Sequence, residues 1–371
     1  MKKLNISQVD TIFANGSYPI EFIMYYKNRL NTKAIRSALR KLSGLFWPMF
    51  GKYDAGVIQF DRYNETACFA EVHIQQIFQT HDSNENIYQT YCSMIPADME
   101  SLFFLKVIQL NNGTVLIPKL NHLAGDGFSY FFMLGILAMI SRNYLLRQVI
   151  RAMLNVNHKR TILKAFHFDT RPAPCPAVPD KLSISFEQIP KAEVRAQIKQ
   201  IAAANGQSVS TNDILSAIVL KRTVELQKKQ FDKNILLTMP VDVRRKIPQY
   251  GQRFIGNGLM FNDVNFETAM VNQSEIHDIA IEIRKHMPDV TPKYYLDYLA
   301  HIETLIADAR YDKLKPYDPD KGCLVTNLSR LPATKLNFGT GIPDFIFPLT
   351  VGKNSAAVLA DSENFILRLV F

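Results

Sequence analysis

The chain has 371 residues, 47% of them hydrophobic and 21% charged. That balance excludes a disordered polymer and supplies apolar side chains for two ordinary domains or one large one. The formal charge is +9, but the basic residues are scattered rather than massed in one arm, so nucleic acid is not an expected partner.

The first residues, Met1-Lys2-Lys3-Leu4-Asn5, begin like a signal peptide, but Gln8, Asp10 and Asn15 interrupt any apolar core. Asn31-Thr32 caps a predicted helix whose Ile35, Ala38, Leu39 and Leu42 share one face. Strands are predicted over 57–60, 68–74, 102–110 and 114–120. Asn111-Asn112-Gly113 between the last two is a hairpin signal. A loop from Asn121 to Gly127 follows, then a helix from about Phe128. The longest apolar run, Phe131 to Ile140, is too short to cross a bilayer, so no transmembrane segment is expected.

The densest basic stretch holds Arg142, Arg147, Arg151, Lys159, Arg160 and Lys164. It reads as a solvated helix face, with contact to a phosphate-bearing ligand or peripheral contact with an anionic membrane as the alternatives. Thr170 to Asp180 carries Pro172, Pro174, Pro176 and Pro179, which exclude regular helix and central strand and mark an interdomain crossover. Beyond it, Ile189–Asn205 reads as a helix ended by Asn205-Gly206, and Ser210-Thr211-Asn212-Asp213 as a capping box opening the next. Strands over 235–243 and 259–264, a helix over 294–309, and strands near Cys323 and Ile366 complete the series. Cys68, Cys92, Cys175 and Cys323 have neither metal nor redox spacing, which points to reduced thiols and a cytoplasmic chain.

One stretch carries chemistry. His122-Leu-Ala-Gly-Asp126-Gly127 follows a strand, and histidine is the side chain suited to exchange a proton near neutral pH. Asp126 could fix its tautomer, or point away and hold the loop through a basic partner. The bare motif leaves three readings open: a structural histidine, a catalytic base, or a metal ligand. His73, His81, His158, His167, His277, His286 and His301 form no ligand pattern around it, so no metal is expected.

His122 to Gly127 resembles the His-x-x-x-Asp-Gly motif of the coenzyme-A-dependent acyltransferase superfamily, which includes the BAHD acyltransferases, chloramphenicol acetyltransferase and peptide-synthetase condensation domains. Five further stretches resemble the BAHD branch in the right order. They are Ile6–Asp10, Leu42–Lys52, Ser210–Ile214, Val241–Arg244 through Asn257, and Val325–Leu328 with Leu336–Pro343. Asn337 and Thr340 replace the family's Asp and Trp in its Phe-Gly-x-Gly element. Leu328 stands where the family has Trp beside its oxyanion threonine, which implies a differently shaped acceptor pocket.

The resemblance implies an α/β fold of two similar chloramphenicol-acetyltransferase-like domains, each a mixed sheet with helices, with an active-site tunnel at their interface. The halves would be 1–169, carrying His122, and 181–371, joined by the crossover at 170–180. His122 would be the general base of an acyl-CoA-dependent O- or N-acyltransferase, and Asp126 would pair with Arg244 to hold the loop containing Gly127. Thr326 would face the oxyanion. Ser210, Thr211 and Asn257 are weaker substrate-binding candidates. No tightly bound cofactor is expected. Acyl-CoA would be co-substrate and a small molecule the acceptor. A carrier-protein thioester acting in trans is the alternative donor, and a non-catalytic binding homologue the remaining reading. A monomer suffices, because one chain supplies both halves of the site.

Overall fold

The computed structural model describes all residues except 15–17, 81–83, 93, 97–98, 143–155, 164–182, 228–229, 232, 333–334 and 351. The Pro-rich segment 170–180 and Cys175 lie outside the described residues, as do Arg147, Arg151, Lys164, His81 and His167.

The first half runs β1 (Lys2–Asn5), β2 (Ile20–Tyr26), α1 (Thr32–Ser43), β3 (Lys52–Asp54), β4 (Val57–Phe60), α2 (Glu65–Cys68), β5 (Phe69–His73), α3 (Asn84–Cys92), β6 (Phe103–Leu110), β7 (Gly113–Leu120) and α4 (Gly127–Ser141). α1 starts where expected: the Asn31 side chain accepts from the Ala34 amide at 3.0 Å, and Ile35, Ala38, Leu39 and Leu42 are buried. β6 and β7 pair antiparallel with Leu110 opposite Gly113, so Asn111-Asn112 is the turn. Gly113 is required by close approach, because a Cβ there would lie 2.2 Å from the Tyr26 carbonyl oxygen. α4 is apolar on every side and buries Tyr130, Phe131, Met133, Leu134 and Leu137. The long apolar run is therefore a core helix. Among the described residues no helix is long and apolar enough to cross a membrane.

The second half runs β8 (Ile184–Pro190), α5 (Lys191–Asn205), α6 (Thr211–Leu226), β9 (Asn234–Asp242), β10 (Leu259–Glu267), α7 (Thr268–Gln273), α8 (Ile276–Lys285), α9 (Pro292–Ala307), β11 (Gly322–Asn327), β12 (Phe345–Pro348), β13 (Ser355–Ala360) and β14 (Asn364–Val370). The helix expected from Ile189 instead starts at Lys191. Ile189 pairs with Phe365 in the sheet, and Pro190, extended at ψ 130, stands at the helix cap. Similarly, the strand expected from Cys68 starts at Phe69, because Cys68 closes the short α2.

Three sheets result. β1-β4-β3 is a small antiparallel one, the five-stranded sheet has the order β12-β2-β7-β6-β5, and the six-stranded sheet has the order β10-β9-β11-β13-β14-β8. Both larger sheets mix parallel and antiparallel pairs. β12 comes from the second half of the sequence yet pairs with β2, Phe345 opposite Tyr25. A cut between 169 and 181 therefore does not separate the sheets.

Side chains alternate across the six-stranded sheet. Cys323, Val325, Val358, Leu367 and Leu369 join Val194, Leu215 and Ile279 of the helices in one core. Leu324, Thr326, Ala357 and Arg368 point to the opposite face and line a cavity. The core of the first half does not stop at the sequence midpoint either, for Val243, Ile247, Phe254, Ile255, Tyr295 and Leu299 belong to it.

Candidate active site

The chain leaves β7 into a tight turn, with the Leu123 amide on the Asn121 side chain at 3.1 Å and the Ala124 amide on the Asn121 carbonyl at 3.0 Å. The turn delivers Asp126 to the N-cap of α4, where its carboxylate accepts from the Ser129 amide at 3.1 Å. Arg244 Nη2 lies 2.7 Å from both Asp126 oxygens, and the Gly258 amide donates to Oδ2 at 3.1 Å. Both partners are almost completely buried. Burial works to lower the Arg244 pKa, but Asp126 and Asp242 outweigh it and hold the guanidinium above its ordinary range. Arg244 also donates to the carbonyls of Phe254 and Gly256, at 3.1 and 3.0 Å. Gly258 is glycine because a Cβ there would sit 2.7 Å from the guanidinium carbon. The pair therefore ties the His122 loop to the segment 254–258 of the other half.

Asp126 thus spends its hydrogen bonds on Ser129, Arg244 and Gly258 and acts on the histidine only through its charge. The His122 ring stacks on Phe13, centroids 3.8 Å apart and planes 16° from parallel, and its Nδ1 lies 3.1 Å from Asn257 Oδ1. The Asn257 amide is oriented by its own donors, which reach Asp10 Oδ1 at 2.8 Å and the His122 carbonyl at 2.9 Å. A carboxylate only accepts, so Oδ1 is the atom left facing the ring. Nδ1 consequently carries the proton, and Nε2 keeps its lone pair. Burial lowers the His122 pKa below 6.5, opposed by Asp126, Asn257 and Asp10.

Asp10 is itself held by the Ser7 amide at 2.8 Å and by Arg160 Nε at 3.0 Å. Arg160 corrects an expectation. It is not on a solvated helix face but buried, paired with Asp10 and donating to the carbonyls of Ile255 and Ala124. Of the same basic stretch, Lys159 is exposed and Arg142 half-buried.

His122, Asp126, Gly127, Arg244 and Thr326 line one cavity of about 390 Å³, and Leu328 is in its wall. Asn257 meets His122 rather than the cavity wall. Ser210 and Thr211 are not among the wall residues. Ser210 instead completes the capping box: its hydroxyl accepts from the Asp213 amide, and the Asp213 carboxylate accepts from the Ser210 amide at 2.6 Å. The neighbouring Asn212 accepts from Asn327 at 3.0 Å and so braces the end of β11 beside Thr326. Asn337 closes its own glycine-rich loop: its Oδ1 accepts from the amides of Gly339 and Gly341, at 2.7 and 3.3 Å, outside the cavity wall.

A model of the Transferase family, the BAHD acyltransferases, matches residues 2–365. The chain belongs to that family. No curated protein sequence matches the chain significantly. Among solved structures, this Transferase-family chain is similar to the Fusarium sporotrichioides TRI101 complex with coenzyme A and T-2. The TM-score is 0.77 at 13% identity, covering 99% of this chain and 94% of that one. Vinorine synthase superposes with a TM-score of 0.76 at 17% identity, covering 100% and 90%. The first condensation domain of the CDA synthetase gives 0.60 at 12% identity, covering 100% and 90%. At these identities the likeness is one of fold: a mixed α/β architecture shared with BAHD structures.

Proposed function

We propose that this Transferase-family chain moves an acyl group from acyl-CoA to the hydroxyl or amine of a small-molecule acceptor, with His122 as general base. The observation that carries the reading is the fixed tautomer. Asp10 orients Asn257, Asn257 occupies His122 Nδ1, and Nε2 is left to accept a proton beside a cavity sized for a small substrate.

Nε2 removes the acceptor's proton as its oxygen or nitrogen attacks the thioester carbonyl. The tetrahedral intermediate collapses with cleavage of the C–S bond, and the imidazolium returns the proton to the departing thiolate. The products are the ester or amide and free coenzyme A. The Thr326 hydroxyl, in the same cavity, is the donor assigned to the oxyanion. The two-half arrangement, with residues 1–169 and 181–371 joined through 170–180, belongs to this reading, as does action as a monomer in the cytoplasm.

Purified protein incubated with a panel of acyl-CoA donors is expected to release free thiol, and His122→Ala to lower that release by about 10²- to 10⁴-fold with circular dichroism unchanged. Release that survives the substitution would remove His122 from the chemistry. Release only from an acylated carrier protein would move the donor from coenzyme A to a carrier.

A further inference from the structure

Arg368 stands in β14 directly opposite Ala357 of β13, which in turn pairs with Thr326 of β11. The three share one row and one face of the six-stranded sheet, and all three line the cavity. Two inter-strand steps, about 10 Å, separate the backbone of Thr326 from that of Arg368. Between them Ala357 contributes only a methyl group, so the floor of the cavity is open along the row.

Arg368 is 4% exposed, yet among the described residues its only acceptor is the Thr350 carbonyl, 2.7 Å from Nη2. Its Nε and Nη1 are buried without a partner. No carboxylate lies within ion-pair distance of it among the described residues. The groups that act on its charge are the hydroxyls of Tyr317 and Tyr88, and Tyr317 donates its own proton to the Lys353 carbonyl at 2.7 Å. Glu21 is also in the cavity wall, where burial pushes its carboxyl up to about 7 against the pull of the Lys119 charge, and it makes no ion pair with Arg368. Burial likewise pushes the Arg368 guanidinium down to about 10. A desolvated cation with unanswered donors is costly to a folded chain and is ordinarily paired. Here no such partner stands among the described residues, and the Arg368 side chain is itself part of the cavity lining, with its free donors just beneath that surface.

We propose that Arg368 anchors an anion subsite on the cavity floor, two strands from Thr326, and that it takes the carboxylate of a substrate whose reacting group lies at His122. The proposal deepens the transferase reading and rests on it for the identity of the cavity. It narrows the substrates to pairs in which either the acceptor or the acyl chain is a carboxylic acid.

Calorimetric titration of the full chain with para-hydroxyphenylpropanoate and with its primary amide tests this without turnover. Wild type is expected to bind the acid about ten- to a hundred-fold tighter than the amide, the range of a charge-assisted hydrogen bond. Arg368→Met is expected to erase that preference, and Arg368→Lys to restore part of it. Because the arginine is an unpaired buried charge, Arg368→Met is also expected to melt no lower than wild type, whereas a structural arginine would lower the melting temperature. Equal binding of acid and amide, a preference that survives in Arg368→Met, or failure of the acid and its shorter and longer homologues to bind at millimolar concentration would each overturn the subsite. His122→Ala is expected to keep the acid preference, and a wild-type protein that selects the acid but releases no thiol from any donor counts against the transfer reading and not against the subsite. Turnover of hydroxy acids as acceptors, set against half-acid acyl-CoA donors, then assigns the carboxylate to one substrate.

Discussion

For His122, protonation is opposed by burial and favoured by Asp126, Asn257 and Asp10, with burial prevailing. A base lowered in this way is neutral and able to accept a proton at pH 7. The acid limb of kcat/KM is therefore expected below pH 6.5, the ordinary histidine value. Asn257→Ala removes one of the contacts that favour the charged ring, so it should move that limb further toward acid. It should also lower the plateau kcat about 10- to 100-fold, through loss of a hydrogen bond to the developing imidazolium. A limb that holds its position would leave Asn257 no part in setting the ring. His122, Asp126 and Arg244 were legible because each sits in a short motif. The surroundings of His122 are not: Asn257 reads as a substrate contact, Asp10 only as part of the Ile6–Asp10 motif, and Phe13 carries no signal at all. Their contacts join residues more than 100 positions apart, which one sequence does not reveal.

At the scale of elements, the N-terminus of α4 depends on a buried ion pair. Arg244→Met strands the Asp126 carboxylate and is expected to cost about 3–5 kcal/mol in urea unfolding. Adding Asp126→Asn should recover part of that loss, because the second change removes the stranded charge. The return segment at 156–162 is a second clasp. Asn157 bridges to Phe254, Arg160 pairs with Asp10, and His158 Nε2 donates to the Leu45 carbonyl at 2.8 Å. Burial, with the charges of Arg160 and Lys2 adding to it, pushes His158 down to about 4, and its Nδ1 has no partner. The unfolded chain takes up this proton at about pH 6.5, before the folded chain does, so stability falls as pH drops from 6.5 toward 4. The loss is at most about 3 kcal/mol. His158→Gln should flatten that slope in urea melts at successive pH values.

The same elements show what periodicity conveys. α1, the β6–β7 hairpin and the α6 capping box were readable because an amphipathic stripe or a turn residue marks each. β2 was not, since Ile20–Tyr26 is buried on both faces and shows no alternation that would separate it from a helix segment. β12 is four residues long and ends in proline, too little pattern to signal a strand.

For the whole molecule, the cavity belongs to neither half alone. His122 comes from the loop after β7, Thr326 and Arg368 from the floor of the six-stranded sheet, and Asp126 is neutralised by Arg244 across the boundary. Two further features bind the halves: β12 completes the five-stranded sheet at β2, and Val243, Phe254, Tyr295 and Leu299 complete the first core. A fragment of residues 1–169 would lose β12 and leave the fully buried strand Ile20–Tyr26 as a bare edge, an open template for aggregation. It would also lose the apolar residues that cover α4 and strand Asp126 without Arg244. The fragment is expected to precipitate, or to unfold in urea without a cooperative transition, whereas the full chain should lose helix signal and tyrosine burial at one midpoint. A soluble fragment with a sharp transition of its own would show that 1–169 is an independent folding unit. In that case the second half would have to be credited with completing the site and not with completing the fold.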